Sequence, residues 1–408
     1  MAAPMPEPGQ TGRDAVLRHA LWLLAPAITL VVASEFVVVG LLPLVAGELG
    51  VSLAEAGRLT GLFAVSAAVA GPGLTLLASR CPPRHVMAAT LLLFALGNAV
   101  MAWASDFSLL LMARIAQGAV LPAFISVGAA VVTALAPPER RGRALANANL
   151  GFVLGVLLAL PAGAALAQWG SWRLPFMLLT VGSLVAAVAI GRSFPVGRPA
   201  DAPCVAEQLA LLRRPTFLGH LLVTILLFAS MFAAYTFVGA WLEASLALSG
   251  SQLAIALLLF SAVGVLGNGL AARVADSAPV AATVTAVLAL VAAINLAQAF
   301  VGVLPAVVVL LGIWSVAHTA GVTLSQVRVT MAGDHAPAFA MTLNISCANL
   351  GIAAGAFAGG WGIDRWGLDA IGWVPITFAA LVVVLSALLV LPPSRRPRPL
   401  GQRCESAG

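Results

Sequence analysis

Apolar runs of about twenty residues, each long enough to cross the hydrocarbon core of a bilayer, recur between short polar breaks along almost the whole chain. They fall near 20–46, 56–79, 85–104, 107–135, 144–168, 172–191, 216–243, 251–273, 279–300, 304–327, 338–361 and 370–391, which makes twelve expected spans. Only 9% of the 408 residues are charged, against about 25% in soluble proteins, so this chain cannot cover a water-facing surface. The fold class that follows is an all-α polytopic membrane protein. The first run is too long for a signal-peptide core and is read as a retained span.

The widest interior break, 192–215, divides the chain into two sets of six spans. The expected organisation is a cytoplasmic tail at 1–19, a six-helix bundle at 20–191, a linker at 192–215, a second bundle at 216–391 and a tail at 392–408. Every one of the 21 basic residues is Arg, and with the first residue in the cytoplasm 17 of them fall on the inner side. Arg58, Arg173 and Arg365 fall outside and Arg114 lies within a span, so the positive-inside rule puts both termini in the cytoplasm. The same one-sided loops explain the net charge of +6 without a nucleic-acid partner. Cys81, Cys204, Cys347 and Cys404 are far apart and form no metal-binding or disulfide pattern.

Internal repetition supports two parallel halves. ANLGFVLG (Ala148–Gly155) reappears as ANLGIAAG (Ala348–Gly355), and GPGL (Gly71–Leu74) as GNGL (Gly267–Leu270). Phe36-Val37 is echoed by Phe237-Val238 at nearly the same offset. Two such halves enclose a cavity on their pseudo-symmetry axis, and rocking them alternates access to it. That is the architecture of a transporter.

Charges inside the spans are few enough to weigh singly. Glu35 sits in ASEFVVVGLLPLVAGELGVS, roughly 15 Å deep at 1.5 Å per residue, where a carboxylate costs roughly 2.5–3.5 kcal/mol. Arg114 in span 4 lies at comparable depth. A static ion pair locking two helices is the plain alternative; a titratable carboxylate that takes a proton from one side and releases it to the other is the functional one. The second half has Thr236 at the equivalent of Glu35, which makes the proton site one-sided. His318 in span 10, Asn149 and Asn349 at equivalent places in spans 5 and 11, and Phe36 and Tyr235 are candidate cavity residues, although packing explains each as well. Gly151, Gly155, Pro161 and Gly163 in span 5 allow close helix contact and a bend. Arg80, Arg84, Arg140 and Arg141 beside helix ends read either as cytoplasmic gate clamps or as simple topology determinants.

With these motifs in place, the chain resembles the major facilitator superfamily over nearly its whole length, and within it the twelve-helix drug:proton antiporters, including bacterial chloramphenicol exporters. SEFVVVGLLPLVAGELGVS is similar to the family's first-helix signature. RIAQG (Arg114–Gly118) resembles the motif whose Arg is linked to proton transfer. ALPAG followed by QWGSWRLPF resembles the antiporter motif and the Trp-Arg-Phe of span 6, here Trp172, Arg173 and Phe176. Two departures stand out: Leu160 where the family has Gly before the Pro, and Ser79, Arg80 and Pro82 where a gate-latch Asp, Arg and Gly are expected.

The resemblance implies a non-enzymatic exporter of the bacterial cytoplasmic membrane, driven by the proton gradient without a cofactor, with Glu35 as proton acceptor and candidate cargo contact and Arg114 as its modulator. Its partners would be protons, small-molecule cargo and lipid, and a monomer is expected. Hydrophobic drugs of chloramphenicol type are the leading cargo, which would make the chain a multidrug or antibiotic-resistance antiporter. A sugar, nucleoside or endogenous metabolite on the same fold is the alternative, though it would call for more Asn, Gln, Asp and Trp around the cavity. A polytopic membrane enzyme is the remote alternative; Asp334, Asp364 and Asp369 are too scattered to build its site, and nothing resembles a channel's selectivity filter.

Overall fold

The computed structural model describes residues 10–137, 140–195, 211–275, 277–334 and 336–390. Those residues form helices throughout, with no strand among them. The first half holds α1 (Gln10–Phe36), α2 (Leu42–Leu49), α3 (Leu53–Val69), α4 (Gly71–Ala78), α5 (Pro83–Trp103), α6 (Phe107–Leu135), α7 (Arg141–Ala167) and α8 (Leu174–Ser193). The second holds α9 (Pro215–Tyr235), α10 (Val238–Leu246), α11 (Gly250–Val274), α12 (Pro279–Ala299), α13 (Leu304–Ala332), α14 (Pro337–Trp366) and α15 (Ala370–Val390). Eleven stretches are long and apolar enough to span a membrane, and α3 with α4, bent by 51°, makes a twelfth.

Each expected span is present, and proline accounts for two of the three broken ones. Span 1 runs as α1, a 3-10 turn over Val37–Leu41, then α2. Pro43 opens α2, and its ring leaves no room for the carbonyl of Val39 in an α ladder. Pro72 does the same at the start of α4, which accounts for the bend in span 2. Span 7 breaks at Thr236–Phe237, between α9 and α10, close to the repeat position of the span 1 break. Expected boundaries shift most in three places: α1 begins at Gln10, inside the expected tail, α13 continues to Ala332 and α14 to Trp366. Residues 196–210 of the expected linker and the tail after 390 lie outside the described residues.

The two halves repeat one packing scheme. In the first, α7 lies flush on α1 because Gly151 and Gly155 carry no Cβ: a Cβ on Gly151 would strike the carbonyl of Ala25, and one on Gly155 would stand 2.7 Å from Val32 Cβ. In the second, α14 lies on α9, where a Cβ on Gly355 would stand 2.5 Å from the carbonyl of Ala229 and one on Gly351 would strike that of Ile225. Gly151 and Gly351 thus face residues 25 and 225, so the sequence repeat is a repeat of helix contacts.

Between the halves, α3 packs on α14 and α7 on α11. The glycine-lined approaches across this interface cluster at the end away from the chain termini, here called the distal face; the opposite end is the terminal face. A Cβ on Gly57 would sit 2.7 Å from the Phe237 ring, one on Gly61 2.9 Å from the Phe357 ring and one on Gly360 3.2 Å from Ala54. The halves are therefore closed on one another distally.

Gly155→Leu and Gly355→Leu should each destabilise the protein by about 1–3 kcal/mol, since the added side chain separates helices that touch by backbone. Thermal unfolding in detergent measures this. Gly269→Leu, where a Cβ meets nothing within 4 Å, should leave the transition in place.

Candidate functional site

Where α1 gives way to the 3-10 turn, carbonyls near the junction run short of intrahelical donors. Water would satisfy them at a surface; inside a bilayer the protein must. Arg114 on α6 does so, its Nη1 donating to the carbonyl of Ser34 at 2.7 Å and its Nη2 to that of Glu35 at 2.7 Å. Its Nε donates to the carbonyl of Leu59 on α3 at 3.2 Å, and Nη1 also to Gln117 Oε1 at 3.3 Å. The guanidinium carbon stands 4.4 Å from the centre of the Phe63 ring, within range of a cation–π contact.

The chain of polar contacts continues. Gln117 Nε2 donates to Asn98 Oδ1 at 3.1 Å and to the Phe94 carbonyl at 3.2 Å. Asn98 Nδ2 donates to Ser34 Oγ at 2.9 Å, and that hydroxyl donates to the Leu30 carbonyl at 2.8 Å. Ser34, Asn98, Arg114 and Gln117 are all fully buried, so this network binds α1, α3, α5 and α6 in a medium where bonds to water are not an option.

Glu35 takes part in that network only through its backbone. The static ion pair weighed from the sequence does not form: the Glu35 carboxylate makes no hydrogen bond or ion pair with any described residue. At 7% exposure it is nearly buried, but not sealed.

Beside it, Phe36 opens an aromatic cluster that crosses between the halves. Its ring lies 6.4 Å from that of Phe232 on α9, which packs at 5.3 Å on Tyr235 and at 5.4 Å on His318 of α13. Tyr235 and His318 are 4.6 Å apart, and Phe260 extends the cluster to Trp314 at 5.4 Å. Phe36, Tyr235 and His318, named separately from the sequence, are thus brought together. Trp314 Nε1, His318 Nδ1, Thr236 Oγ1 and Asn349 Oδ1 are buried without a partner, a costly condition unless something arrives to bond them.

Other expectations need correction. Asn349, offered as a cavity residue, spends its amide N–H on the carbonyl of Ile345 in its own helix at 3.0 Å, and the side chain of Asn149 lies outside the described residues. Gly151, Gly155 and Gly163 serve the contact of α7 with span 1, a Cβ on Gly163 coming 2.6 Å from Val37 Cγ2; Pro161 lies within α7. Arg84 Nε donates to the carbonyl of Phe194 at 2.7 Å and so ties two helices of one half rather than clamping the halves together. Arg80 and Arg141 are exposed at the terminal face, and Arg140 lines a cavity there.

Arg328, counted from sequence as a loop arginine, is buried in α13. Its Nη1 donates to the His220 carbonyl at 2.7 Å and its Nη2 to Thr224 Oγ1 at 3.0 Å. At the distal face, Arg173 Nη2 pairs with Glu48 at 2.9 Å and its Nη1 donates to the Ala104 carbonyl at 2.7 Å, while Trp172 Nε1 donates to Glu48 at 2.6 Å. The Trp-Arg-Phe segment therefore staples spans 1, 3 and 6.

A family model described as Major Facilitator Superfamily matches residues 24–338. The chain belongs to this superfamily. It is similar to the inner membrane transport protein YdhP of Escherichia coli K12, with 32% identity over 369 residues that cover 89% of this chain and 92% of the relative. A chloramphenicol resistance protein of Streptomyces lividans is 33% identical over 263 residues, 64% of this chain and 67% of that one. Among solved structures, a bacterial homologue of the human lysosomal transporter Spinster, described as inward-facing and occupied, superposes with a TM-score of 0.74 at 17% identity, covering 90% of this chain and 95% of its own. As a major facilitator protein the chain is a multi-pass membrane transporter and not an enzyme.

Arg114→Lys should lower thermal stability, because a single ammonium cannot reach the carbonyls of Ser34, Glu35 and Leu59 together. Arg114→Gln should lower it further, and if backbone bonds are what Arg114 supplies, adding Glu35→Gln to Arg114→Gln will not restore the loss. Recovery of the melting transition in the double variant would show instead that the two side-chain charges are paired.

Proposed function

We propose that this major facilitator protein exports hydrophobic small molecules, of chloramphenicol-like size and polarity, in exchange for protons across a bacterial cytoplasmic membrane. The observation that carries this reading is the Glu35 carboxylate. It lies at a helix break beside Phe36, which reaches across the half interface, and it is unpaired while the nearby guanidinium is occupied by backbone. A carboxylate so placed can gain and lose a proton without breaking any bond that holds the fold.

The cycle follows from that separation. Protonated Glu35 is a neutral group in an apolar chamber, and the chamber can then close around it. Once the halves rock and water reaches the site from the other side, the proton leaves and the charge returns. Cargo enters and leaves the same chamber in the opposite sense, its rings against Phe36, Phe232 and Tyr235 and its polar atoms against the unpartnered nitrogens of Trp314 and His318. In this reading the terminal face is cytoplasmic, because the loop arginines crowd there, and the distally closed conformation is the one that receives cargo from inside. One chain and the proton gradient suffice, with no cofactor.

The relative from Streptomyces lividans supports the drug class by its name, and the aromatic lining supports apolar cargo over sugars. The remaining residue-level roles, with Arg114 holding the break and Gly151, Gly155 and Gly163 letting span 5 slide against span 1, belong to the same proposal.

Glu35→Gln should abolish efflux driven by a pH gradient while membrane expression stays at the wild-type level. Uptake of radiolabelled chloramphenicol into everted vesicles, together with a susceptibility panel in an efflux-deficient host, provides the measurement. Undiminished gradient-driven transport by Glu35→Gln would remove the carboxylate from the mechanism, and a panel without protection against any apolar drug would remove the cargo class.

A further inference from the structure

The terminal face carries a second feature that proton-coupled export does not use. Between the start of α1 and the start of α7 lies a cavity of about 470 Å³, lined by Arg18, Arg140, Arg143 and Asn147 above Leu17 and Leu21. Three guanidinium groups from two different spans converge on one hollow whose described lining includes no acid. Arg140 has an interaction of its own, so the weight falls on Arg18 and Arg143, which make no hydrogen bond or ion pair with a described residue. The hollow also opens on the first turn of α7, a helix of 27 residues, whose free backbone N–H groups add to the positive potential.

The polarity of the lining is graded. Guanidinium and amide groups form one side; Leu17, buried, and Leu21, half-buried, form the other. A small soluble anion would use only the first side. A phospholipid uses both, with its phosphate forked by arginines and its glycerol and upper acyl carbons lying against leucine. The location agrees: helices that begin at Gln10 and Arg141 on the terminal face emerge where one leaflet presents its headgroups. Basic pockets between membrane helices suit anionic headgroups on general electrostatic grounds.

We propose that this cavity binds the phosphate of an anionic phospholipid from the leaflet at the terminal face. A lipid held there links the start of span 1 to the start of span 5, the two helices whose glycine contact carries the break beside Glu35. It also gives Arg140, which the sequence offers as a gate clamp or a topology marker, a specific surrounding.

The test uses the full chain purified in detergent. Native mass spectrometry and thermal unfolding are followed on addition of phosphatidylglycerol, phosphatidylcholine or inorganic phosphate. The expected result is retention of phosphatidylglycerol over phosphatidylcholine, with affinity falling about 30-fold in the double variant Arg18→Gln, Arg143→Gln, since each surface arginine contributes about a fivefold preference for anionic lipid. Arg58→Gln, at an exposed distal position, should bind as the wild type does.

Equal retention by wild type and double variant would overturn the site, as would an equal loss in Arg58→Gln, which would mean annular lipid only. Stabilisation by inorganic phosphate without retention of phosphatidylglycerol would reassign the cavity to a soluble anion and overturn the lipid. Unfolding of the ligand-free double variant at the wild-type temperature shows that any loss is one of binding.

Discussion

A carbonyl that leaves its helical ladder inside a bilayer has nowhere to turn but the protein, and this fold is arranged around one such place. Span 1 breaks just ahead of Pro43, whose ring cannot share an α ladder with the Val39 carbonyl. The break exposes the carbonyls of Ser34 and Glu35, and a single guanidinium from span 4 covers both. That same group reaches the backbone of span 2, rests on Phe63 and leads through Gln117 and Asn98 into span 3. Four spans are thereby fixed relative to one another by one buried cation whose counterpart is the peptide backbone. The neighbouring Glu35 carboxylate makes no hydrogen bond or ion pair with a described residue, although it stands close to that guanidinium.

The halves share their packing and differ in their chemistry. The glycine contacts of α7 on α1 and of α14 on α9 are superposable by position, and both first spans break at corresponding residues. Yet Arg114, Gln117, Asn98 and Ser34 form the buried network of the first half, while the second buries Arg328 against His220 and Thr224 and contributes Phe232, Tyr235, His318 and Trp314 to the aromatic cluster. The glycine contacts are repeated between the halves, and the buried polar and aromatic side chains are not.

Much of this is written plainly in the chain. Hydropathy shows all twelve spans, since lipid demands long apolar runs whatever the cargo. The offset of 200 residues shows the halves, because glycines that let helices touch cannot be replaced quietly. The depth of Glu35 and Arg114 is also legible. How they meet is not, because distance along a helix says nothing about whether a side chain finds a carboxylate or a carbonyl. Ser34 and Asn98 escaped notice as small polar residues in apolar runs, although Gln117 stood within a motif quoted for another reason. Arg328 looked like a loop residue because it lies near the end of its apolar run; only the continuation of α13 to Ala332 and the acceptors on α9 show it buried.

The distal contact has one more property. The rings of Phe237 and Phe357 rest on the bare backbone of Gly57 and Gly61, and among the described residues no hydrogen bond joins the halves at that face. Parting them there breaks no directional bond and leaves no polar atom stranded. Such a closure is held by contact area alone, and its grip can be graded by ring size rather than switched by chemistry. A contact fastened by fit instead of by a bolt can be loosened or tightened one ring at a time.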